Sequence, residues 1–319
     1  MKYFFAFSII IFLSASSKAQ ENNRKTIYTV DIDNFWIAYD SAKTTTDIAK
    51  QQHFIQSLYI DKGTPGLKAF MKARDYDAKL WVELINKYPL FWSSVRENTL
   101  AVKKQVGQIE ESLNRFKMLY PELKPAKMYF TIGGLRSGGT TNADMVLIGA
   151  EITSADKNTN SSELSDWLKG VFKSQDISNI VPLNVHEYVH TQQKHGGLLL
   201  LDQCIQEGSA DFIAELVTNK KNQSPYMLYG REHEPELKEK FKTDMFGLSI
   251  KDWLYNSVNV PHADLGYFIG YQICKSYYDH SPNQKQAIKD IIELNCADKQ
   301  QVISFLNKSK YYDNIINKQ

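Results

Sequence analysis

The chain has 319 residues, enough for one large domain or two small ones with a true interior. Hydrophobic residues make up 43%, which excludes a disordered chain. The 38 basic and 36 acidic residues leave the whole chain close to neutral, with no charge footprint for a nucleic-acid partner.

The N-terminus reads as an export signal. Met1-Lys2 is a short positive start, and Tyr3 to Leu13 is an apolar run broken only by Ser8, too short to span a bilayer. Ser17-Lys18-Ala19 suits the small-x-small cleavage rule and gives a signal peptide at 1–19, cut before Gln20, with an uncleaved anchor as the alternative. Its loss removes Lys2 and Lys18, so basic and acidic residues balance in the exported chain. No cysteine sits near the cut for a lipid anchor, and no later stretch is long and apolar enough to span a membrane. The expected location is periplasmic or secreted. Cys204, Cys274 and Cys296 leave two readings open, a Cys274–Cys296 disulfide or three buried thiols.

From Ile32 to about Tyr120 apolar residues recur at helical spacing, as in Phe35, Trp36 and Tyr39 or Leu67, Phe70 and Met71. Residues 20–125 are therefore an N-terminal helical region, ended by Pro121 and Pro125. Met128 to Ile132 and Met145 to Gly149 read as strands around a glycine-rich loop, which predicts a small antiparallel sheet. The loop lacks the Gly-Lys-Ser/Thr ending of a phosphate loop. Helices then return to the C-terminus. The expected fold class is α+β, mostly helical, with residues 126–319 as a second region, or one compact unit with the first.

Residues 186–190 read His-Glu-Tyr-Val-His. Residues four apart lie on one helix face, so His186 and His190 can aim their rings at one point. Two such histidines suit a zinc ion, with Glu187 placed to take a proton from metal-bound water. Pro182 fits the first turn of this helix, and His195-Gly196-Gly197 stops it. A third ligand is expected downstream. In Glu207-Gly208-Ser209-Ala210-Asp211, Glu207 can reach the metal, the small residues let two helices approach, and Asp211 can orient His186.

These two motifs resemble the gluzincins, the thermolysin-like zinc metallopeptidases. More narrowly, the chain is similar to a group of exported proteins predicted to be zinc-dependent proteases. In that group the Tyr129 to Glu151 segment and the Gly266-Tyr267-Phe268-Ile269-Gly270-Tyr271 helix also recur. The resemblance implies a zincin-like catalytic region over 126–319. It implies His186, His190 and Glu207 as Zn2+ ligands, Glu187 as general base and Asp211 as the partner of a ligand. The implied activity is hydrolysis of a peptide or protein substrate by zinc-activated water. An oxyanion donor is then sought among His262, Tyr267 and Tyr271, with His262 preferred because it precedes the Gly-Tyr helix in a polar loop. One departure is the gap from His190 to Glu207, shorter than in thermolysin. The alternatives are a zinc-binding cell-envelope or motility protein without catalysis, and a carbohydrate-binding or adhesion module.

Overall fold

The computed structural model describes residues 26–312, except 195, 257–259 and 261. The signal-peptide expectation for residues 1–19 and the helix-stop expectation at His195 lie outside the described residues. The described residues open with strand β1 (Ile27–Tyr28), followed by α1 (Val30–Ala42), α2 (Ile48–Ile55), α3 (Pro65–Arg74), α4 (Ala78–Lys87), α5 (Pro89–Ala101) and α6 (Val106–Leu119). Local chemistry sets several of these starts. The Asp47 carboxylate accepts the backbone N–H groups of Ala49 and Lys50, and the Thr64 hydroxyl accepts that of Leu67 with Pro65 opening the helix.

Strands β2 (Lys127–Thr131), β3 (Gly139–Asn142) and β4 (Met145–Gly149) complete a four-stranded sheet in the order β1-β2-β4-β3. The fold class is α+β and mostly helical, as expected. The antiparallel expectation is only partly right. β2 and β4 run parallel, with Met128 opposite Val146 and Phe130 opposite Ile148, and only β3–β4 is antiparallel. The physical reason is β3. Its sequence, Gly-Thr-Thr-Asn, carries no apolar alternation, so periodicity does not reveal it. It turns back at Ala143, whose φ is +52°, and sends β4 alongside β2 in the same direction. β3 is left at the sheet edge.

The remaining helices are α7 (Ala150–Thr153), α8 (Asp166–Ser174), α9 (Ile180–His190), α10 (Leu200–Thr218), α11 (Pro225–Glu232), α12 (Glu234–Asp244), α13 (Leu265–His280), α14 (Gln284–Glu293) and α15 (Lys299–Ser309). One cluster of buried side chains runs from Ile27 to Tyr312. The N-terminal helices enter it through aromatic anchors that bond the chain just after β2. The Tyr59 hydroxyl donates to Ile132 O at 2.6 Å, and the Trp81 indole donates to Gly133 O at 2.9 Å. Cys204, Cys274 and Cys296 are free and buried.

Two helices meet almost without side chains between them. A Cβ on Gly270 of α13 would stand 1.7 Å from Cys204 O of α10, and one on Gly208 would stand 2.0 Å from Tyr271 N. Neither neighbour is a flexible side chain, so any larger residue forces the helices apart. Gly270→Ala is expected to destabilise the chain by about 3 kcal/mol or more, read as a lowered guanidinium midpoint, whereas Gly107→Ala, with open space around it, is expected to be neutral or stabilising.

Candidate metal centre

α9 carries the His-Glu-Tyr-Val-His motif on a helix held to its neighbours at several points. Val181, Val185 and Val189 are buried, and the Tyr188 hydroxyl accepts the Ala126 N–H at 2.9 Å just before β2. After α9 the chain turns through Gly196 (φ +134°) and Gly197 (φ +102°), left-handed conformations that favour glycine. α10 then returns beside α9 and presents Glu207.

The structure brings the three expected ligands together. His186 Nε2 and His190 Nε2 stand 3.0 Å apart, and Glu207 Oε2 lies 3.4 Å from the first and 3.3 Å from the second. Among the described residues these three form the candidate metal-holding group of His, Cys, Asp and Glu side chains. A tetrahedral ion with bonds of about 2.0–2.1 Å separates its donors by roughly 3.3 Å, so the triangle has the size of one tetrahedral face.

The outer atoms decide the tautomers. His186 Nδ1–H donates to Asp211 Oδ1 at 2.8 Å, and His190 Nδ1–H donates to Gln193 Oε1 at 2.7 Å. Gln193 is oriented by its own amide, which donates to Gln206 O and Ser209 Oγ. When the rings are neutral, with both Nδ1 atoms holding their protons, they aim their Nε2 lone pairs inward, beside a carboxylate oxygen. Three electron-rich atoms at this spacing repel one another unless a cation lies between them. Burial opposes a charged imidazolium at His186, yet Asp211 and Glu207 outweigh it and raise the pKa well above the usual value. His190 is raised in the same way, against burial, by Glu207. Burial would raise Glu207, but His190 and His186 hold its carboxyl well below the usual range. All three shifts express one demand, positive charge at the centre.

Tyrosines surround the ligands. Tyr226 donates to Asp211 Oδ2 at 3.0 Å, Tyr255 donates to Glu207 Oε1 at 2.9 Å, and the Tyr267 ring stacks on His186. Tyr255 leaves only Oε2 of Glu207 facing the histidines, and it does so from a left-handed backbone, φ +54°. Gln193, Tyr226 and Tyr255 are not among the residues that the sequence motifs single out. Gln193 has a local signal, three positions after His190 on the same side of the turn, whereas Tyr226 and Tyr255 arrive from distant elements and have none.

Glu187 is half-buried beside β3, where a Cβ on Gly139 would stand 2.8 Å from its carboxyl carbon. His262 is exposed. Its ring stacks on Tyr229 with centroids 3.7 Å apart, and His233 lies against the same tyrosine at 4.0 Å. Tyr271 donates to Glu215 rather than to the ligand group. No helix among the described residues is long and apolar enough to cross a membrane.

Comparison with known proteins yields one family. The family designated GldB_lipo and described as gliding motility protein GldB matches residues 16–259. No curated protein and no solved structure matches. The match corrects the resemblance to the gluzincins and with it the metallopeptidase and hydrolase expectations, because the family is one of motility proteins and not of proteases. The reason is physical. His-Glu-x-x-His with a following glutamate reports where ligand atoms fall on two helices. Turnover also needs a substrate-binding cleft and a group that stabilises the oxyanion, and the motif specifies neither.

Asp211→Asn removes the carboxylate that fixes the His186 tautomer, and Tyr255→Phe frees the second oxygen of Glu207. Each is expected to weaken divalent-metal affinity by about 10- to 100-fold with the fold intact, measured by competition titration beside circular dichroism.

Proposed function

The chain belongs to the gliding motility protein GldB family, and on that premise we propose that it is an exported cell-envelope component of surface motility that binds a zinc ion without catalysing hydrolysis. The observation that carries the metal reading is the pair of inward lone pairs. Asp211 and Gln193 lock both Nδ1 atoms as donors, and the two Nε2 atoms then converge with Glu207 Oε2 at 3.0 to 3.4 Å. Two imidazoles and one carboxylate suit zinc in preference to the harder cations, which favour all-oxygen sites.

His186 and His190 belong to α9 and Glu207 to α10, so a bound zinc would act as a cross-link between two core helices. The metal supplies charge neutralisation at a point where the chain has placed three donors. Asp211, Gln193, Tyr226 and Tyr255 hold those donors in register. In this role Glu187 is not a proton acceptor for a reaction. The envelope location follows from the family together with the expected export signal, and the retained rather than released form fits a part of a surface machine.

Zinc content is the first test. The purified chain is expected to carry about one zinc per molecule, with a melting temperature that rises on zinc addition. Both properties should vanish in the His186→Ala/His190→Ala variant. Absence of metal uptake in the wild type would overturn the reading. In cells lacking the protein, Glu187→Gln is expected to restore surface movement as fully as the wild type, and failure to do so at equal protein level would reopen catalysis.

The pH dependence has opposite signs with and without metal. In the metal-free chain, His186 and His190 have folded pKa values above the 6.5 of the free side chain. Their contribution to stability is therefore full below about 6.5 and is lost as pH rises through the folded values. Zinc needs both rings neutral, so zinc affinity is expected to rise over that same interval. Melting curves taken across neutral pH with zinc and with a chelator should diverge upward, and parallel curves would contradict the ligand set.

A further inference from the structure

A carboxyl group without a cation is costly in a protein interior. Glu151, in α7, is such a group. Its exposure is 0%, and no ion pair reaches it among the described residues. What it holds is the glycine-rich turn after β2. Oε2 accepts the Gly133 N–H at 2.7 Å, and Oε1 accepts the Leu135 N–H at 3.2 Å. Leu135 has φ +56°, a left-handed conformation that a leucine keeps only where its surroundings impose it. The longer of the two bonds is thus made to a strained residue.

An unpaired hydroxyl lies beside this carboxyl. Tyr76, between α3 and α4, is buried, and its hydroxyl approaches the Gly134 backbone without reaching hydrogen-bond geometry with any partner among the described residues. A Cβ on Gly133 would stand 2.8 Å from Glu151 Oε1 and 3.2 Å from the Tyr76 oxygen, so the two oxygens flank one point. A proton on Oε1 turns that oxygen from the acceptor of Leu135 into a donor, and the Tyr76 oxygen is the acceptor next to it. The other groups that face the carboxyl are already paired. Tyr59 donates to Ile132 O and accepts the Ile132 N–H, and Asp31 beyond it accepts from Thr64. Arg136 donates to Arg74 O and Asp75 O, and the Arg74 charge acts on Tyr76. α5, packed against α7, buries Phe91, Trp92, Val95 and Thr99, none of which ionises. Burial raises the Glu151 carboxyl to about 7, against the N–H groups of Gly133 and Leu135 that hold it down. Both protonation states therefore occur near neutral pH.

We propose that Glu151 is a proton-operated latch on the glycine-rich turn. Ionised, it holds Gly133 and Leu135 and keeps Leu135 in its left-handed conformation. Protonated from solvent, it donates to Tyr76, keeps Gly133 through Oε2 and releases Leu135. The turn leads into β3, where Gly139 lies against the Glu187 carboxyl, so the latch sets the order of the strand edge beside the metal centre. It does not rest on the zinc reading, because none of the three convergent side chains takes part. The folded value of Glu151 lies above the 4.5 of the free side chain. Its contribution to global stability is therefore complete below 4.5 and is lost as pH rises through about 7. The turn tightens over the same interval, so local order and global stability change in opposite directions.

The test is hydrogen exchange of the chain from Gln20 onward, read by mass spectrometry across neutral pH, corrected for the intrinsic pH dependence of exchange, with zinc and with a chelator. Protection of peptides covering 133–138 is expected to rise roughly tenfold or more as Glu151 ionises, the effect of one hydrogen bond to a charged group. The midpoint should lie at about 7 in both media. Glu151→Gln, neutral at every pH, should give protection that is flat over the same range. Tyr76→Phe removes only an unpaired hydroxyl, so it should fold as the wild type does, with the midpoint moved to lower pH. Protection of the wild-type turn that does not change with pH overturns the latch. So does a pH dependence that survives in Glu151→Gln, or a midpoint that Tyr76→Phe leaves unmoved. A pH dependence seen only with the chelator assigns the effect to His186 and His190 and overturns it as well.

Discussion

Glu207 can face His186 and His190 because α10 lies against α13 backbone to backbone. The contact at Gly208 and Gly270 leaves no room for a Cβ on either helix. It fixes the depth of α10 in the core and hence where the residues beside Gly208 emerge. Glu207 and Asp211, one helical turn apart, reach the histidines of α9. A shift of an ångström in this packing would separate donor atoms that now stand 3.0 to 3.4 Å apart. The glycines therefore belong to the centre as much as the ligands do, although none of them touches it.

Electrostatics builds on that packing. Two carboxylates and two imidazoles share a space from which solvent is nearly excluded, and burial alone would neutralise all of them. Instead the groups are arranged in a chain of acceptors and donors. Tyr226 donates to Asp211, Asp211 accepts from His186, and Tyr255 takes the outward oxygen of Glu207. What remains unsatisfied is three inward lone pairs. A buried set with one consistent deficit would suit a cation, and the three atoms have the spacing of one face of a four-coordinate ion.

A site of this kind is compatible with hydrolysis and with plain binding, and ligand geometry cannot separate the two. The family match places the chain among gliding motility proteins over a span that takes in both the helical N-terminal region and the helices carrying the three convergent side chains. The histidine motif covers five residues and reports local chemistry. The family match spans residues 16–259, a range that also holds the aromatic anchors Tyr59 and Trp81.

The sequence by itself determined the helices, two of the strands, and the convergence of His186, His190 and Glu207 with Asp211 behind them. These follow from periodicity and spacing within one element, or between two elements joined by a short turn, where distance along the chain nearly equals distance in space. Tertiary structure decided the rest. The direction of β4 depends on β3, whose polar sequence carries no strand signal, and the mixed sheet follows from it. Gln193, Tyr226 and Tyr255 become partners of the ligands only once the fold brings them to the centre. The position of His262 on Tyr229 is likewise set by packing between α11 and the loop before α13. Chain spacing carries no information about contacts closed over many residues, because their geometry depends on every element packed between them.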